Sequence, residues 1–142
     1  MSKSDAFENS LLKLIFNGVT IPAIADNANV SPLTTLYVSL HTADPGEAGT
    51  QSTNEIAYTN YARVAVARDA SGWQVTGNSV SPVNNIDFPT GTGGSGTASY
   101  FAVGTQLTGA GVILYSGAIS PTIATGNGVT PRLATTSTIT ED

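Results

Sequence analysis

The sequence predicts an all-β fold, an antiparallel β-sandwich of jelly-roll type with a short α-helix at its N-terminus. Three observations predict this class. About eight short apolar stretches, separated by Gly, Pro and Asn turns, fill the chain beyond position 32. Only 11% of the residues are charged, against roughly 25% in a typical soluble domain, and Thr, Ser, Asn and Gly replace them. One segment near the N-terminus instead has the apolar spacing of a helix.

Length and composition place the chain among ordinary globular domains. Its 142 residues, 40% of them hydrophobic, are enough to bury a core. The absence of cysteine excludes disulfides, thiolate metal sites and cysteine nucleophiles. The net charge is −5 and the five basic residues do not cluster, which argues against a nucleic-acid partner. We expect a helical segment over 1–20 and a single β-sandwich domain over 21–142.

The N-terminal segment has the pattern of one amphipathic helix. Asp5 followed by Glu8 predicts a capping box, with Ser4 as an alternative cap. Asn17-Gly18 predicts a left-handed end. This helix either packs on its own domain or serves as an arm at a subunit contact. The apolar stripe consists of Phe7, Leu11, Leu14 and Ile15.

Beyond a linker over 21–32, the pattern is that of strands to the end of the chain. In the first strand, Leu36, Val38 and Leu40 alternate with Tyr37, Ser39 and His41, and the turn Asp44-Pro45-Gly46 follows. We interpret the Ser-Pro pairs at 31–32, 81–82 and 120–121 as boundaries between strands, because proline cannot donate to a ladder. The run GTGGSG at 91–96 predicts a flexible loop. Further strands are predicted at 62–68, 73–75, 85–88, 98–103, 112–115, 119–124 and 133–139.

The only histidine, His41, decides the hypotheses for an enzyme. A Ser-His-Asp triad would need it as the base, with Asp44 as the nearest carboxylate, but no nucleophile elbow G-x-S-x-G is present. We interpret His41 as a strand residue beside a turn, on the face opposite Leu36, Val38 and Leu40. Asp44 and Glu47 lie in one turn, which is typical of solvated carboxylates rather than of a glycosidase pair. We therefore expect no catalytic residue.

Other ligand motifs lack the structural context that they need. Gly91–Gly96 fits G-x-G-x-x-G, but that motif binds a dinucleotide only before a helix, and a strand is predicted here. One histidine, no cysteine and no calcium loop leave no metal site. Trp73 with Tyr58 or Tyr61 has aromatic faces for a sugar, although Trp73 fits a core anchor better. We expect no cofactor and no metal.

Two stretches are more specific than a general all-β pattern. Leu11–Asp44 contains LLKLIFNGVTIP, a spacer and a strand that continues as LYVSLHTADPGEAG. The succession resembles a group of small tailed-bacteriophage virion structural proteins, often labelled tail fibre or head decoration proteins. His41 stands where that group usually has an aromatic residue, and 104–111 replaces a charged turn. The elements that follow in the group's order are Tyr61–Val66, Trp73, Ile86–Pro89, 96–104 and VILYSGA at 112–118.

The resemblance implies a non-enzymatic component of the phage particle, made in the cytoplasm of the bacterial host. Because the chain has no heptads and no elongated repeat, we expect a capsid decoration (cement) protein, a homo-oligomer and specifically a trimer. Its partner would be the major capsid protein or another virion protein, with no nucleic acid and no membrane involved. A neck or tail-fibre adaptor is the alternative within this class, and a carbohydrate-binding module is the alternative outside it. The expected contact regions are Asp44–Tyr58 and Ser4–Ile24.

Overall fold

The computed structural model of the chain describes residues 3–21, 24–25 and 31–141. Most of the predicted linker over 21–32 lies outside the described residues. Within the described residues there are one helix and nine strands. They are α1 (Asp5–Asn17), β1 (Thr35–His41), β2 (Val64–Ala67), β3 (Trp73–Thr76), β4 (Ser79–Pro82), β5 (Ile86–Asp87), β6 (Ser95–Gly104), β7 (Ile113–Gly126), β8 (Arg132–Leu133) and β9 (Ile139–Thr140).

The strands form three sheets. The largest has the order β2-β1-β6-β7, the second has the order β3-β4-β9, and the third pairs β5 with β8. The registers between β1 and β6, β6 and β7, β3 and β4, β4 and β9, and β5 and β8 are all antiparallel. The predicted class is confirmed: the fold is all-β, antiparallel and sandwich-like, with one short helix.

The chain divides into two compact units, each assembled from separate stretches of sequence. Unit 1 comprises Met1–Thr35, Val66–Asn85 and Ala134–Asp142, and so includes α1, β3, β4 and β9. Unit 2 comprises Leu36–Ala65 and Ile86–Leu133, and so includes β5 to β8 and nearly all of β1. The division into a helical segment over 1–20 and a single β-sandwich domain over 21–142 stays a prediction.

In unit 1 the helix packs on β3 and β4. Leu12 and Phe16 are fully buried, and the Phe16 ring meets the Trp73 ring edge-on with 4.9 Å between centroids. The side-chain amide of Asn17 donates to the Trp73 carbonyl at 3.0 Å. The helix is thus part of the core of its unit, which supports the first of the two interpretations of this segment.

The start of the helix differs from the predicted capping box. The helix begins at Asp5, so Asp5 lies in the first turn and Ser4 is the N-cap. The carbonyl of Ser4 accepts the backbone N–H groups of Phe7 and Glu8. The Asp5 capping box is therefore wrong and the alternative cap, Ser4, is correct, although the Ser4 side chain forms no capping hydrogen bond.

The predicted apolar stripe is also displaced around the helix. The buried line is Glu8, Leu12 and Phe16, whereas Phe7 of the predicted stripe is exposed. The Phe16 ring contacts Trp73, so the face of the helix that carries Phe16 is the buried face. Residues four and eight positions earlier, Leu12 and Glu8, lie on that same face. Gly18 ends the helix in the left-handed region (φ 66°), as predicted.

Three strand predictions need correction. The stretches 112–115 and 119–124 belong to one strand, β7, in which residues 119–122 form an excursion opposite Ser99 of β6. Pro121 lies in that excursion, so this Ser-Pro pair interrupts the pairing without ending the strand. The stretch 133–139 contributes to two strands, β8 and β9, in different sheets. Strand β4 was not predicted, and it ends at the Ser-Pro pair at 81–82.

The run GTGGSG at 91–96 is held by backbone hydrogen bonds. The Gly91 N–H donates to the Val129 carbonyl, and the Gly93 carbonyl accepts the Thr59 N–H. Strand β6 begins at Ser95 without an intervening helix. The predicted flexible loop is therefore tied to neighbouring segments at Gly91 and Gly93, and it does not have the helical context of a dinucleotide site.

Candidate interaction surface

A buried arginine in unit 2 joins two surface loops. Arg63 lies just before β2, and its side chain is 3% exposed. Its Nε and Nη2 donate to the two carboxylate oxygens of Glu55 at 2.7 and 2.8 Å. Its Nη1 donates to the Gln106 carbonyl at 2.9 Å, and Nη2 also donates to the Gly109 carbonyl at 2.7 Å. The planar fork of one guanidinium thus connects the loop over 50–56 to the loop over 105–112.

Tyr61 extends this network toward β1. Its hydroxyl donates to Glu55 Oε1 at 2.9 Å and accepts the Leu40 N–H at 3.0 Å. Burial raises the pKa of the Tyr61 hydroxyl far above its ordinary value. The hydrogen bonds that Arg63 donates to the Glu55 carboxylate raise the pKa of the Arg63 guanidinium. Both groups therefore keep their protons at every physiological pH, and the network is fixed as a structural element.

Gln51 is a second internal support of the loop over 105–112. It is fully buried. Its Oε1 accepts the Gln106 N–H at 3.0 Å, and its own backbone N–H donates to the Ala110 carbonyl at 2.7 Å. A Cβ atom added at Gly104 or Gly111 would overlap the Gln51 side chain. Glycine at these two positions therefore makes room for the amide that holds the loop.

His41 is fully buried at the end of β1. Its Nδ1 lies 2.8 Å from the Thr53 carbonyl, which only accepts, so Nδ1 carries the proton. Nε2 then accepts from Ser39 Oγ at 2.9 Å. Burial lowers the pKa of His41, so the ring is neutral at pH 7. Strand β1 is thus buried on both faces. Val38 and Leu40 lie on one face, and Ser39 and His41 lie on the other.

Exposed apolar side chains lie on the loop that this network holds. Leu107 is 49% exposed and Val112 is 61% exposed. A groove of about 600 Å³ separates residues 111–116 from the turn over 44–50, and Asp44 and Glu47 line it. The predicted contact region Asp44–Tyr58 thus borders the groove and also contributes Glu55 to the buried network.

The described basic side chains are almost all engaged within the chain. Arg63 binds Glu55, Arg132 binds Asp87 and Lys3 binds Glu141. The Arg68 guanidinium donates to the carbonyls of Leu14 and Ile15 at the end of α1. Within residues 3–21, 24–25 and 31–141, Lys13 is the one cation without such a partner. The carboxylates of the groove therefore face solvent without a counter-charge from the described chain.

A model of the family described as Podophage GP4 fiber I protein gp80 matches residues 2–140. The chain belongs to this family. It is a structural protein of the tailed-phage virion, of tail-fibre type, which confirms the resemblance drawn from the order of its motifs. A search of curated proteins finds no match.

The serine that contacts His41, Ser39, is not accessible to a substrate. Ser39 is as fully buried as His41, and a catalytic serine must reach a substrate. The second ring nitrogen of His41 faces a backbone carbonyl rather than a carboxylate. The pair therefore stabilises β1, in agreement with the interpretation of His41 as a strand residue beside a turn.

Two of the aromatic residues proposed for sugar stacking, Trp73 and Tyr58, lie in the interior. Trp73 is 2% exposed and Tyr58 is 3% exposed. The Tyr58 hydroxyl donates to the Pro89 carbonyl at 2.8 Å. The Tyr61 ring stacks on Phe88 at 6.3 Å between centroids. Trp73 is a core anchor, as its sequence context predicts, so the carbohydrate-binding alternative loses Trp73 and Tyr58 as stacking rings. Tyr61 is partly exposed and lines the hollow beside Arg63.

The second predicted contact region, Ser4–Ile24, includes two residues outside the described part. Its described residues expose Phe7, Val19 and Ile24. The described part contains no group of three or more His, Cys, Asp or Glu side chains that would hold a metal. It also contains no helix long and apolar enough to cross a membrane.

Proposed function

We propose that the protein is a non-enzymatic subunit of a phage tail fibre that acts through contacts with other virion proteins. The single observation that carries this proposal is the match of residues 2–140 to a family described as a podophage fibre protein. The interior of unit 2 supports it. Arg63, Gln51 and His41 form hydrogen bonds within the chain that hold loops in place, and they present no reactive group to a substrate.

The proposal also concerns the position of the protein in the particle, on the capsid or on the tail fibre. The sequence by itself favours capsid decoration, because the chain lacks heptads and elongated repeats. The description of the family instead favours a fibre, and no feature of the described residues favours the capsid. We therefore place the protein on the tail fibre, with another virion protein as its partner.

A homo-oligomer, specifically a trimer, belongs to the proposal as the expected assembly. The low charged fraction, 11%, supports an extensive contact surface, because neutral polar groups are less costly to desolvate than charged ones. Native mass spectrometry of the purified protein measures the subunit number directly. A monodisperse monomer at micromolar concentration would contradict the trimer.

Quantitative mass spectrometry of purified particles, combined with gold labelling, tests the fibre assignment. We expect copies amounting to a small fraction of the major capsid protein, with the label on the tail. A copy number near that of the capsid protein, with the label on the shell, would instead establish decoration. Absence from washed particles would refute a role in the virion.

A further inference from the structure

The sequence contains two Asn-Gly pairs, Asn17-Gly18 and Asn127-Gly128. In such a pair the backbone nitrogen of the glycine can attack the side-chain carbonyl carbon of the asparagine and close a five-membered ring. Glycine favours this attack, because it has no Cβ atom to hinder the approach and its backbone is the least restricted of all residues. In a folded protein the reaction therefore depends on how firmly the structure holds each pair.

The first pair is held at the end of α1. The Asn17 side-chain amide donates to the Trp73 carbonyl at 3.0 Å, and Trp73 is 2% exposed. The Val19 N–H donates to the Lys13 carbonyl at 3.1 Å, which closes the chain around Gly18. Ring closure at Asn17 would require the amide to leave Trp73 and the helix end to open. The structure therefore protects this pair.

The second pair lies in the turn between β7 and β8. Asn127 is exposed, and within residues 31–141 its side chain forms no hydrogen bond. A Cβ atom added at Gly128 would meet no described atom within 4 Å apart from its neighbours in sequence. The Gly128 N–H donates to the Gly91 carbonyl at 2.8 Å, and this bond must open before the nitrogen attacks. A bond in an exposed turn opens at a lower cost than the end of a helix packed on a core, so this pair is available for reaction.

We propose that Asn127 is a site of spontaneous deamidation and that Asn17 is not. The Gly128 nitrogen forms a bond to Cγ of Asn127, the bond from Cγ to Nδ2 breaks, and the side-chain nitrogen leaves as ammonia with the proton of the Gly128 nitrogen. Water then hydrolyses the cyclic imide at one of its two carbonyls, which leaves aspartate or isoaspartate at this position. Either product adds one negative charge to the net charge of −5. The reaction needs only water, so the inference does not depend on the proposed function.

The isoaspartate product changes the main chain as well as the charge. Its backbone runs through the side-chain carbon and is therefore one methylene longer within the turn. The turn is bonded to the run over 91–96 at two points. The Gly128 N–H donates to the Gly91 carbonyl, and the Gly91 N–H donates to the Val129 carbonyl at 2.9 Å. A longer turn cannot keep both bonds in their present geometry, so deamidation at Asn127 weakens the attachment of this run, which leads into β6.

Peptide mapping by mass spectrometry, after incubation of the purified full-length protein in mildly alkaline buffer, tests the site. We expect the conversion of Asn127 to be at least about tenfold faster than that of Asn17, because reaction at Asn17 requires a larger local unfolding. The same protein unfolded in guanidinium chloride is the reference, and there both pairs should convert at similar rates. Equal rates in the folded protein would overturn the inference. So would an Asn127 that stays unmodified in the folded protein over a time in which the unfolded protein converts.

A matched variant separates the reaction from its effect on the turn. Asn127→Gln keeps a neutral amide, but its longer side chain would have to close a six-membered ring, which forms far more slowly. We expect the Gly91 amide to exchange at least about tenfold faster in aged, converted wild type than in fresh protein, and to be unchanged in aged Asn127→Gln. Freshly purified Asn127→Asp adds the charge without the extra methylene and should exchange like fresh wild type. Unchanged exchange in converted wild type would overturn the effect on the turn, and equal acceleration in aged Asn127→Gln would overturn Asn127 as its cause.

Discussion

Replacing Arg63 with methionine should destabilise the protein by about 3 kcal/mol. The substitution keeps much of the side-chain volume but removes every hydrogen bond of the guanidinium. Glu55, whose side chain is 17% exposed, would keep the Tyr61 hydroxyl as its remaining charge-stabilising donor. Loss of one partner of a buried ion pair costs about 3–5 kcal/mol. The lower value applies here because Glu55 is partly wet and the adjoining hollow admits water to the freed carbonyls.

Urea unfolding followed by far-ultraviolet circular dichroism measures this loss. A domain of ordinary stability, about 5–15 kcal/mol, stays folded after it, so the midpoint shift is measurable. The double variant Arg63→Met/Glu55→Gln should recover part of the loss, because no uncompensated charge remains in the interior. Arg63→Lys should fall between wild type and Arg63→Met, since an ammonium cannot reproduce the fork.

The matched control is Arg132→Met, which removes the exposed pair with Asp87. It should leave the unfolding midpoint unchanged within error, since exposed pairs contribute little. A loss below about 1 kcal/mol for Arg63→Met, or one equal to that of the control, would refute the assignment of Arg63 as the internal support of the loops.

Three further predictions concern single positions. Burial lowers the pKa of His41, so the unfolded chain binds a proton at this ring more readily than the folded chain does. The free energy of unfolding should therefore fall by at most about 1.4 kcal/mol as the pH is lowered from about 7.5 to about 5.5. His41→Gln should abolish that part of the slope in urea titrations, and an unchanged slope would contradict a buried neutral ring. The indole N–H of Trp73 has no hydrogen-bond partner in the described chain, so Trp73→Phe should cost less than about 2 kcal/mol and Trp73→Ala about 3–5 kcal/mol; equal losses in urea midpoints would be inconsistent with this. Gly46 and Gly111 both have positive φ, but only at Gly111 would a Cβ overlap Gln51. Gly111→Ala should therefore cost about 2 kcal/mol more than Gly46→Ala, in thermal or urea unfolding, and similar costs would argue against a rigid Gln51.

The local patterns of the sequence predicted much of the fold. Alternation of apolar residues located β1, and the indole of Trp73 was correctly interpreted as a core anchor. Gly18 ended the helix where the Asn-Gly pair predicted. These features depend on residues a few positions apart, so their physical causes are present in short stretches of sequence. The excursion within β7 was missed, because a Ser-Pro pair is compatible both with the end of a strand and with a local break in its pairing.

The candidate surface was less accessible to sequence reasoning. A lone arginine beside a strand is normally a solvated residue, and the partners that bury Arg63 include Gln106 and Gly109, more than forty positions away. Likewise, the sequence shows Gly104 and Gly111 as turn residues but not the Gln51 amide that occupies the space beside them. One signal was present: the polar loop after Asp44 was identified as a contact region, and it borders the groove.

The buried polar groups of unit 2 prepare its surface loops for contact with a partner in the proposed fibre. Asp44, Glu47 and Val112 discriminate only if their loops hold one conformation before binding, since ordering a loop on association costs free energy. The Arg63 and Gln51 networks fix the loop over 105–112, which carries Val112, and the Asn54 side-chain amide holds the turn at Asp44 by donating to its carbonyl. A variant that loosens them, such as Gly111→Ala, should therefore reduce incorporation into particles at temperatures where the protein is still folded.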